Sequence, residues 1–210
     1  MNRTPSQEKW LRFFNRVLYN VLAPLYNALD WLTFGAWWRL VRRALDHIPD
    51  GGRLLEVGFG PGKLHAELSH RAEFCAGLDL AKGMCRMTQR RLGRLGLVSR
   101  LVRGSVFELP YSDACFDFVV STFAFSGFAD GLKAMEEMAR VTQSGGRVVL
   151  VDIALPDDHN RLGTMLARQW ERWGDFLYAY DDLMRDAGLN VILVEEYGPG
   201  NHIRVVVGEK

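Results

Sequence analysis

From residue 53 onward, short apolar runs alternate with segments of helical periodicity. The apolar and β-branched runs predict strands, and the segments between them carry apolar residues at three- and four-residue spacing, which predicts helices. Strands that alternate with helices favour a parallel sheet covered by helices on both faces. The predicted strands of this region are residues 53–57, 74–79, 99–103, 116–121 and 147–153.

The pattern changes near the C-terminus, where two further strands follow each other with no helix between them. The segment Gly198-Pro199-Gly200-Asn201 between them is typical of a hairpin turn. We therefore expect an α/β fold with a doubly wound, seven-stranded, mostly parallel sheet and an antiparallel C-terminal hairpin. Gly145-Gly146 is expected to stop the helix before the fifth strand. The last predicted elements are a segment at 157–175 that is polar and then helical, a helix near 176–187, and strands at 191–194 and 203–207.

Residues 6–47 carry apolar residues at helical spacing and predict two or three helices. These helices have an unusually aromatic face, and it has two interpretations. It packs against the sheet, or it forms a lid over an apolar substrate or lies on a bilayer surface, where aromatic residues beside arginines are favoured. We expect one domain, 1–210, with a helical lid at 1–48 and a core at 49–210. The face comprises Tyr19, Tyr26, Trp31, Phe34, Trp37 and Trp38, beside Arg39, Arg42 and Arg43.

Composition narrows the class of protein. A chain of 210 residues that is 48% apolar is long enough for one well-packed domain. A net charge of +1 gives no general basic field, so a nucleic-acid partner is not expected. The three cysteines have neither metal-ligand nor disulfide spacing, so no metal site is expected. With no secretory pattern and no uncharged stretch of roughly 18 residues, we expect a cytoplasmic protein, with membrane association left open through the aromatic face.

A glycine-rich turn follows the first predicted strand and gives the strongest chemical signal. Glu56 is followed by Gly58, Gly60 and Gly62, and a helix then begins near Lys63. A Cβ at Gly58 or Gly60 would hold a ligand away from the main chain, and the N–H groups that open a helix favour a negatively charged group. The third glycine comes one residue earlier than in a dinucleotide-binding loop, which disfavours a nicotinamide-dependent oxidoreductase.

Asp79 ends the second predicted strand, about 17 residues beyond Gly62. This is close to where a nucleotide-binding α/β fold places the carboxylate that accepts the ribose hydroxyls. The alternative is a helix N-cap, a position that also favours aspartate. In the ribose interpretation, Leu80 and Met84 border the adenine.

Several of these segments resemble the sequence motifs of a known enzyme family. Glu56-x-Gly58-x-Gly60-x-Gly62 resembles motif I of the class I S-adenosylmethionine-dependent methyltransferases, and Phe116-Asp117-Phe118-Val119 resembles a second motif of that family. The stretch 104–110 resembles a third, although Ser105 replaces its acid. Residues 23–27 and 37–39 are similar to the N-terminal helices of the ubiquinone/menaquinone biosynthesis C-methyltransferases, a small-molecule group of the methyltransferase 11 type.

The resemblance implies a Rossmann-like fold, S-adenosylmethionine as cofactor and S-adenosylhomocysteine as product. It implies that Tyr26 approaches the cofactor and that Ser105 and Val106 meet the adenine. The residues just past the fourth strand should lie at the carboxyl edge of the sheet, where ligands bind in such folds. The candidate cofactor residues are Tyr26, Glu56, Gly58, Phe59, Gly60, Gly62, Asp79, Leu80, Met84, Gly104, Ser105, Val106, Ser121, Thr122 and Phe123.

The expected function is methyl transfer to a small, apolar or lipid-like acceptor by in-line displacement. A phospholipid N-methyltransferase at a membrane surface and a catalytically silent, cofactor-binding regulatory protein are the alternatives. The pattern assigns neither a catalytic base nor an oligomeric state. The groups considered as a base are His159, His202, Tyr26 and Tyr178.

Overall fold

The computed structural model describes residues 36–210. Most of the predicted N-terminal lid, including Tyr26, therefore lies outside the described residues. The last predicted lid helix begins as α1, Ala36–Val41, and continues as a 3-10 helix, Arg42–His47. The strands are β1 Arg53–Val57, β2 Phe74–Asp79, β3 Leu101–Arg103, β4 Phe116–Thr122, β5 Thr142–Ile153, β6 Asn190–Tyr197 and β7 Ile203–Glu209. The later helices are α2 Lys63–Arg71, α3 Lys82–Arg94, α4 Gly131–Val141, α5 Arg161–Trp173 and α6 Tyr180–Asp186.

The strands form one seven-stranded sheet with the order β3-β2-β1-β4-β5-β7-β6. Strands β1 to β5 pair in parallel, whereas β7 is antiparallel to both β5 and β6. The predicted α/β fold with an antiparallel C-terminal hairpin is thereby confirmed. The chain moves outward from β1 in opposite directions to β2 and to β4, and such a switch in strand order opens a crevice at the carboxyl ends of the strands.

Both faces of the sheet are buried, and neighbouring residues of one strand serve different cores. Leu55 and Val119 face a core that includes Met135 of α4. Leu54 and Val120 face a second core, which α1, α2 and α5 cover. A strand buried on both sides reads as a nearly continuous apolar run, which is why the sequence located these strands well.

Two predicted boundaries are wrong. Helix α4 ends at Val141, four residues before Gly145, because β5 already begins at Thr142. Gly145, at φ 74°, instead lies where the pairing of β4 with β5 shifts register. Helix α6 begins at Tyr180 rather than near Phe176, because the Phe176 N–H donates to the carbonyl of Ser126 and holds this segment against the end of β4.

Within residues 36–210, none of the helices has both the length and the apolar character that crossing a bilayer requires.

Candidate cofactor site

The glycine turn connects β1 to α2 and adopts a backbone that favours glycine. Gly58, Gly60 and Gly62 have φ values of 75°, 51° and 73°, all in the left-handed region. The Gly58 N–H donates to the carbonyl of Leu78 at 2.7 Å, and the Gly62 N–H donates to the carbonyl of Phe59 at 3.1 Å. The turn is therefore held against the end of β2 in a single conformation.

The three glycines differ in what a Cβ at each position would contact. A Cβ at Gly58 would lie 2.4 Å from the Cβ of Ala124, and one at Gly62 would lie 2.4 Å from Cγ2 of Thr88. Their close neighbours are protein atoms, so a Cβ at Gly58 would clash within the fold, whatever its effect on a ligand. At Gly60, no described atom lies within 4 Å of a Cβ position. Gly60 is therefore the position where a ligand has room to approach the main chain.

Asp79 faces the same turn. Its Oδ2 accepts the Gly60 N–H at 2.9 Å, and its Oδ1 accepts the Ala81 N–H at 2.8 Å. Burial raises the pKa of Asp79 to about 6, although the two amide hydrogen bonds lower it. The N-cap alternative is wrong, because Ala81 is the N-cap residue of α3.

The side chains of Leu80, Met84 and Phe59 differ in how accessible they are. Leu80, beside Asp79, is 66% exposed and free to meet a flat ring. Met84 packs against Phe59, and the two are 2% and 3% exposed. The Met84 and Phe59 side chains both fill the space under the turn, and the contact of Met84 with the adenine stays a prediction.

After β3, the backbone returns to the same edge. The Gly104 N–H donates to the carbonyl of Asp79 at 3.2 Å. The Ser105 hydroxyl accepts the Phe107 N–H at 3.3 Å and closes a local turn, and the Val106 side chain is buried in the core. Gly104 therefore lies beside Asp79, and the contact of Ser105 and Val106 with the adenine stays a prediction.

The end of β4 carries two unusual features. Ser121 is fully buried, and its Oγ has no hydrogen-bond partner among residues 36–210. Phe123 has φ 48°, a strained value for a bulky residue. Orphan buried hydroxyls and backbone strain are both more frequent at functional sites than elsewhere. Thr122 lies between them and is half-buried.

A buried acid and base lie beneath the glycine turn, and the base was missed by the sequence analysis. Oε2 of Glu56 lies 2.9 Å from Nδ1 of His65, and both side chains are at most 2% exposed. Burial lowers the pKa of His65, but its contacts with Cys75 and Glu56 outweigh this and raise it to about 10. Burial also raises the pKa of Glu56. Glu56 therefore meets His65 across the base of the turn. In the sequence, the signal for this pair was His65, a polar residue on the inward face of α2.

A second buried carboxylate was also missed. Asp152, near the end of β5, accepts the Ser126 N–H at 3.0 Å and the Ile153 N–H at 2.8 Å. Burial raises its pKa to about 6, although these amides lower it. The residue lies within an apolar run, where the sequence indicated only a strand.

The described candidates for a catalytic base are engaged or peripheral. The Tyr178 hydroxyl donates to the carbonyl of Phe128 at 2.6 Å, and burial raises its pKa to about 12. Nδ1 of His202 lies 2.8 Å from the carbonyl of Pro199, and burial lowers the pKa of His202. His159 is exposed in the loop before α5. Residues 36–210 contain no cluster of side chains suited to a metal ion.

Solved structures share this fold at low sequence identity. A SAM-dependent methyltransferase from Thermotoga maritima has a TM-score of 0.72 and 19% identity, with 93% of this chain and 99% of that chain covered. The [4+2]-cyclase SpnF has a TM-score of 0.71 and 15% identity, with 82% and 80% covered. Because one neighbour is named a methyltransferase and the other a cyclase, the fold alone does not identify the reaction.

Sequence comparisons identify the family. Residues 55–150 match a family model described as a methyltransferase domain. Demethylmenaquinone methyltransferases from Thermus thermophilus and Deinococcus radiodurans are each 35% identical, over 66% of this chain and over 66% and 60% of their own lengths. The chain thus spans less than two thirds of the length of these curated relatives. The matched stretch includes the glycine turn, Asp79 and the end of β4, so the resemblance of this domain to the S-adenosylmethionine-dependent methyltransferases is confirmed.

Proposed function

We propose that this protein transfers the methyl group of S-adenosylmethionine to a small, apolar or lipid-like acceptor. The observation that carries the proposal is the pairing of an open main chain at Gly60 with the Asp79 carboxylate, 2.9 Å from the same residue's N–H. S-adenosylmethionine brings its own electrophile, a methyl group on a sulfonium, so the protein mainly has to bind, orient and exclude water.

The residues around Gly60 fit the cofactor. Each Asp79 oxygen accepts one amide N–H and keeps a second lone pair, which suits the two ribose hydroxyls. The exposed side chain of Leu80 offers an apolar face to the adenine. Ser105 and Val106 would meet the adenine edge, and a neutral serine there makes a weaker contact than an acid would.

The acceptor would lie at the end of β4, beside Ser121 and Phe123. The Ser121 hydroxyl, which has no partner among the described residues, offers one hydrogen bond to a polar group in this region. The curated relatives are named for demethylmenaquinone, which supports a quinone-type acceptor for this chain. Because His159, His202 and Tyr178 are engaged or peripheral, a ring carbon that is already activated suits the site better than a hydroxyl needing a strong base.

A catalytically silent S-adenosylmethionine-binding protein is the second candidate. It is supported by Ser105 in place of the family's acid and by the lack of a placed base among the described residues. A phospholipid N-methyltransferase would use the same cofactor site with a different acceptor. Methyl transfer from labelled S-adenosylmethionine to demethylmenaquinol, compared with transfer to phosphatidylethanolamine, separates the three candidates.

The cofactor site is tested by calorimetry with S-adenosylhomocysteine. Asp79→Asn removes the charged acceptor, and we expect affinity to fall about 100-fold, since each hydrogen bond to a charged group contributes roughly 1.5–3 kcal/mol. Asp186→Asn, at an exposed residue of α6, is the matched control and should bind as wild type does. Unchanged binding by Asp79→Asn, or uptake of a nicotinamide dinucleotide by the wild type, would refute the assignment.

A further inference from the structure

Helix α5 lies across the carboxyl edge of the sheet, the edge that carries the cofactor site. At its start, a Cβ on Gly163 would lie 1.7 Å from the carbonyl oxygen of Gly200, so this turn touches the β6–β7 connection. Just beyond its end, the Phe176 N–H donates to the carbonyl of Ser126, which follows β4. Because β4 and β6 run in the same direction, both anchoring points are at the carboxyl edge.

The inward face of α5 is packed, whereas its outward face is apolar and exposed. Ala167 is fully buried, and Trp170 packs against the same core. On the other side, Leu162, Met165 and Trp173 are 48%, 59% and 59% exposed. Large apolar side chains grouped on one solvent-facing side of a helix indicate a binding surface.

The charges on α5 are nearly all positive. The helix contains three arginines, Arg161, Arg168 and Arg172, against one acid, Glu171. All three arginines are exposed, and together with Met165 they follow four-, three- and four-residue spacing, which places them on one stripe. Glu171 pairs with Arg168 at 2.8 Å, so the excess charge of this face comes from Arg161 and Arg172.

We propose that the outward face of α5 docks on the surface of an anionic phospholipid bilayer. Apolar and tryptophan side chains beside arginines are the composition of helices that lie in the membrane interface. The arginines would meet lipid phosphates, and Leu162, Met165 and Trp173 would enter the headgroup boundary. The inference rests on the proposed lipid-like acceptor, because this orientation turns the carboxyl edge of the sheet toward the bilayer that holds such an acceptor.

The test is co-sedimentation of the full chain with vesicles of phosphatidylcholine alone and of phosphatidylcholine mixed with phosphatidylglycerol. We expect wild type to bind the mixed vesicles. The pair Arg161→Gln and Arg172→Gln should weaken this binding about 30-fold, since each arginine near an anionic surface contributes roughly 1 kcal/mol. The pair Met165→Gln and Trp173→Gln should weaken it by about tenfold or more, because it removes buried apolar area.

The matched control is Leu95→Gln with Val98→Gln, at residues that are 52% and 62% exposed after α3, before β3 begins at the opposite edge. This control should bind vesicles as wild type does. No binding by wild type, or equal binding by the α5 variants, would overturn the proposal. It would also fail if only Trp31→Gln with Trp37→Gln abolished binding, or if α5 changes altered self-association in sedimentation velocity without altering vesicle binding.

Affinity for S-adenosylhomocysteine separates this inference from the proposed function. All α5 variants should retain wild-type affinity for that ligand, because α5 contributes no proposed cofactor residue. Wild-type cofactor affinity without vesicle binding would overturn the membrane surface alone. Vesicle binding without cofactor affinity would overturn the proposed function alone.

Discussion

Asp79 and Asp152 are two carboxylates at the same edge of the sheet, and their chemistry is nearly the same. Each accepts two backbone N–H groups, and burial raises the pKa of each to about 6. Their surroundings differ. Asp152 is fully buried and holds the segment after β4, whereas Asp79 is only partly buried and lies beside the open space at Gly60. A raised pKa therefore does not distinguish a binding group from a structural one, and the space beside the group does.

The largest expected effect is the difference in stability between variants that lack Asp152 and variants that lack Asp79. Asp152→Ala leaves the N–H groups of Ser126 and Ile153 without their acceptor in the core, and we expect a loss of about 2–4 kcal/mol in the free energy of unfolding. Asp79→Ala should cost less, because water can reach the amides that it leaves. Urea denaturation followed by circular dichroism measures both. Equal losses would contradict the distinction between them.

The next largest effect is a loss of ligand affinity when the open space beside Gly60 is filled. Gly60→Ala places a methyl group where a ligand would approach, and we expect S-adenosylhomocysteine affinity to fall by tenfold or more. The stability cost should be only about 1–2 kcal/mol, the strain of a left-handed alanine. For Gly58→Ala we expect the opposite: the loss of stability should be the larger effect and the loss of ligand affinity the smaller, because the new methyl group meets Ala124. Calorimetry and thermal melts of the two variants provide the comparison.

The pH dependence of binding follows from the ionised form of Asp79. Ribose hydroxyls donate to a carboxylate, so affinity for S-adenosylhomocysteine should be constant well above pH 6. It should fall as the pH drops through the Asp79 pKa of about 6, by about tenfold per pH unit once protonation dominates. Asp152→Asn should keep this profile although Asp152 has a similar pKa. If Asp152→Asn abolished the pH dependence, Asp152 rather than Asp79 would be the carboxylate that binds the ligand.

The smallest expected effect concerns Glu56. Burial is the main cause of the raised pKa of Asp79, and the charge of Glu56 adds to it. Glu56→Gln should therefore move the midpoint of the binding profile to lower pH by a fraction of a unit, with circular dichroism confirming that the variant is folded. A midpoint that does not move would mean that Glu56 is neutral beside His65.

Local patterns predicted much of this molecule. Continuous apolar runs identified the strands, and the glycine turn with Asp79 led to the open space beside Gly60. The pattern could not show that Gly58 faces Ala124, or that Met84 lies beneath the turn, because both depend on contacts between separate segments. Asp152 was missed for the same reason, since a carboxylate within an apolar run has meaning only once its amide partners are known.

The hydrogen bonds that join the glycine turn to the end of β2 have a thermodynamic consequence. The Gly58 and Gly60 amides have their acceptors, Leu78 and Asp79, within the fold itself. An adenosyl ligand would therefore meet a receptor that is already shaped for it and would have little local chain to order. More of the interaction energy is then left to appear as affinity, and less is lost as conformational entropy.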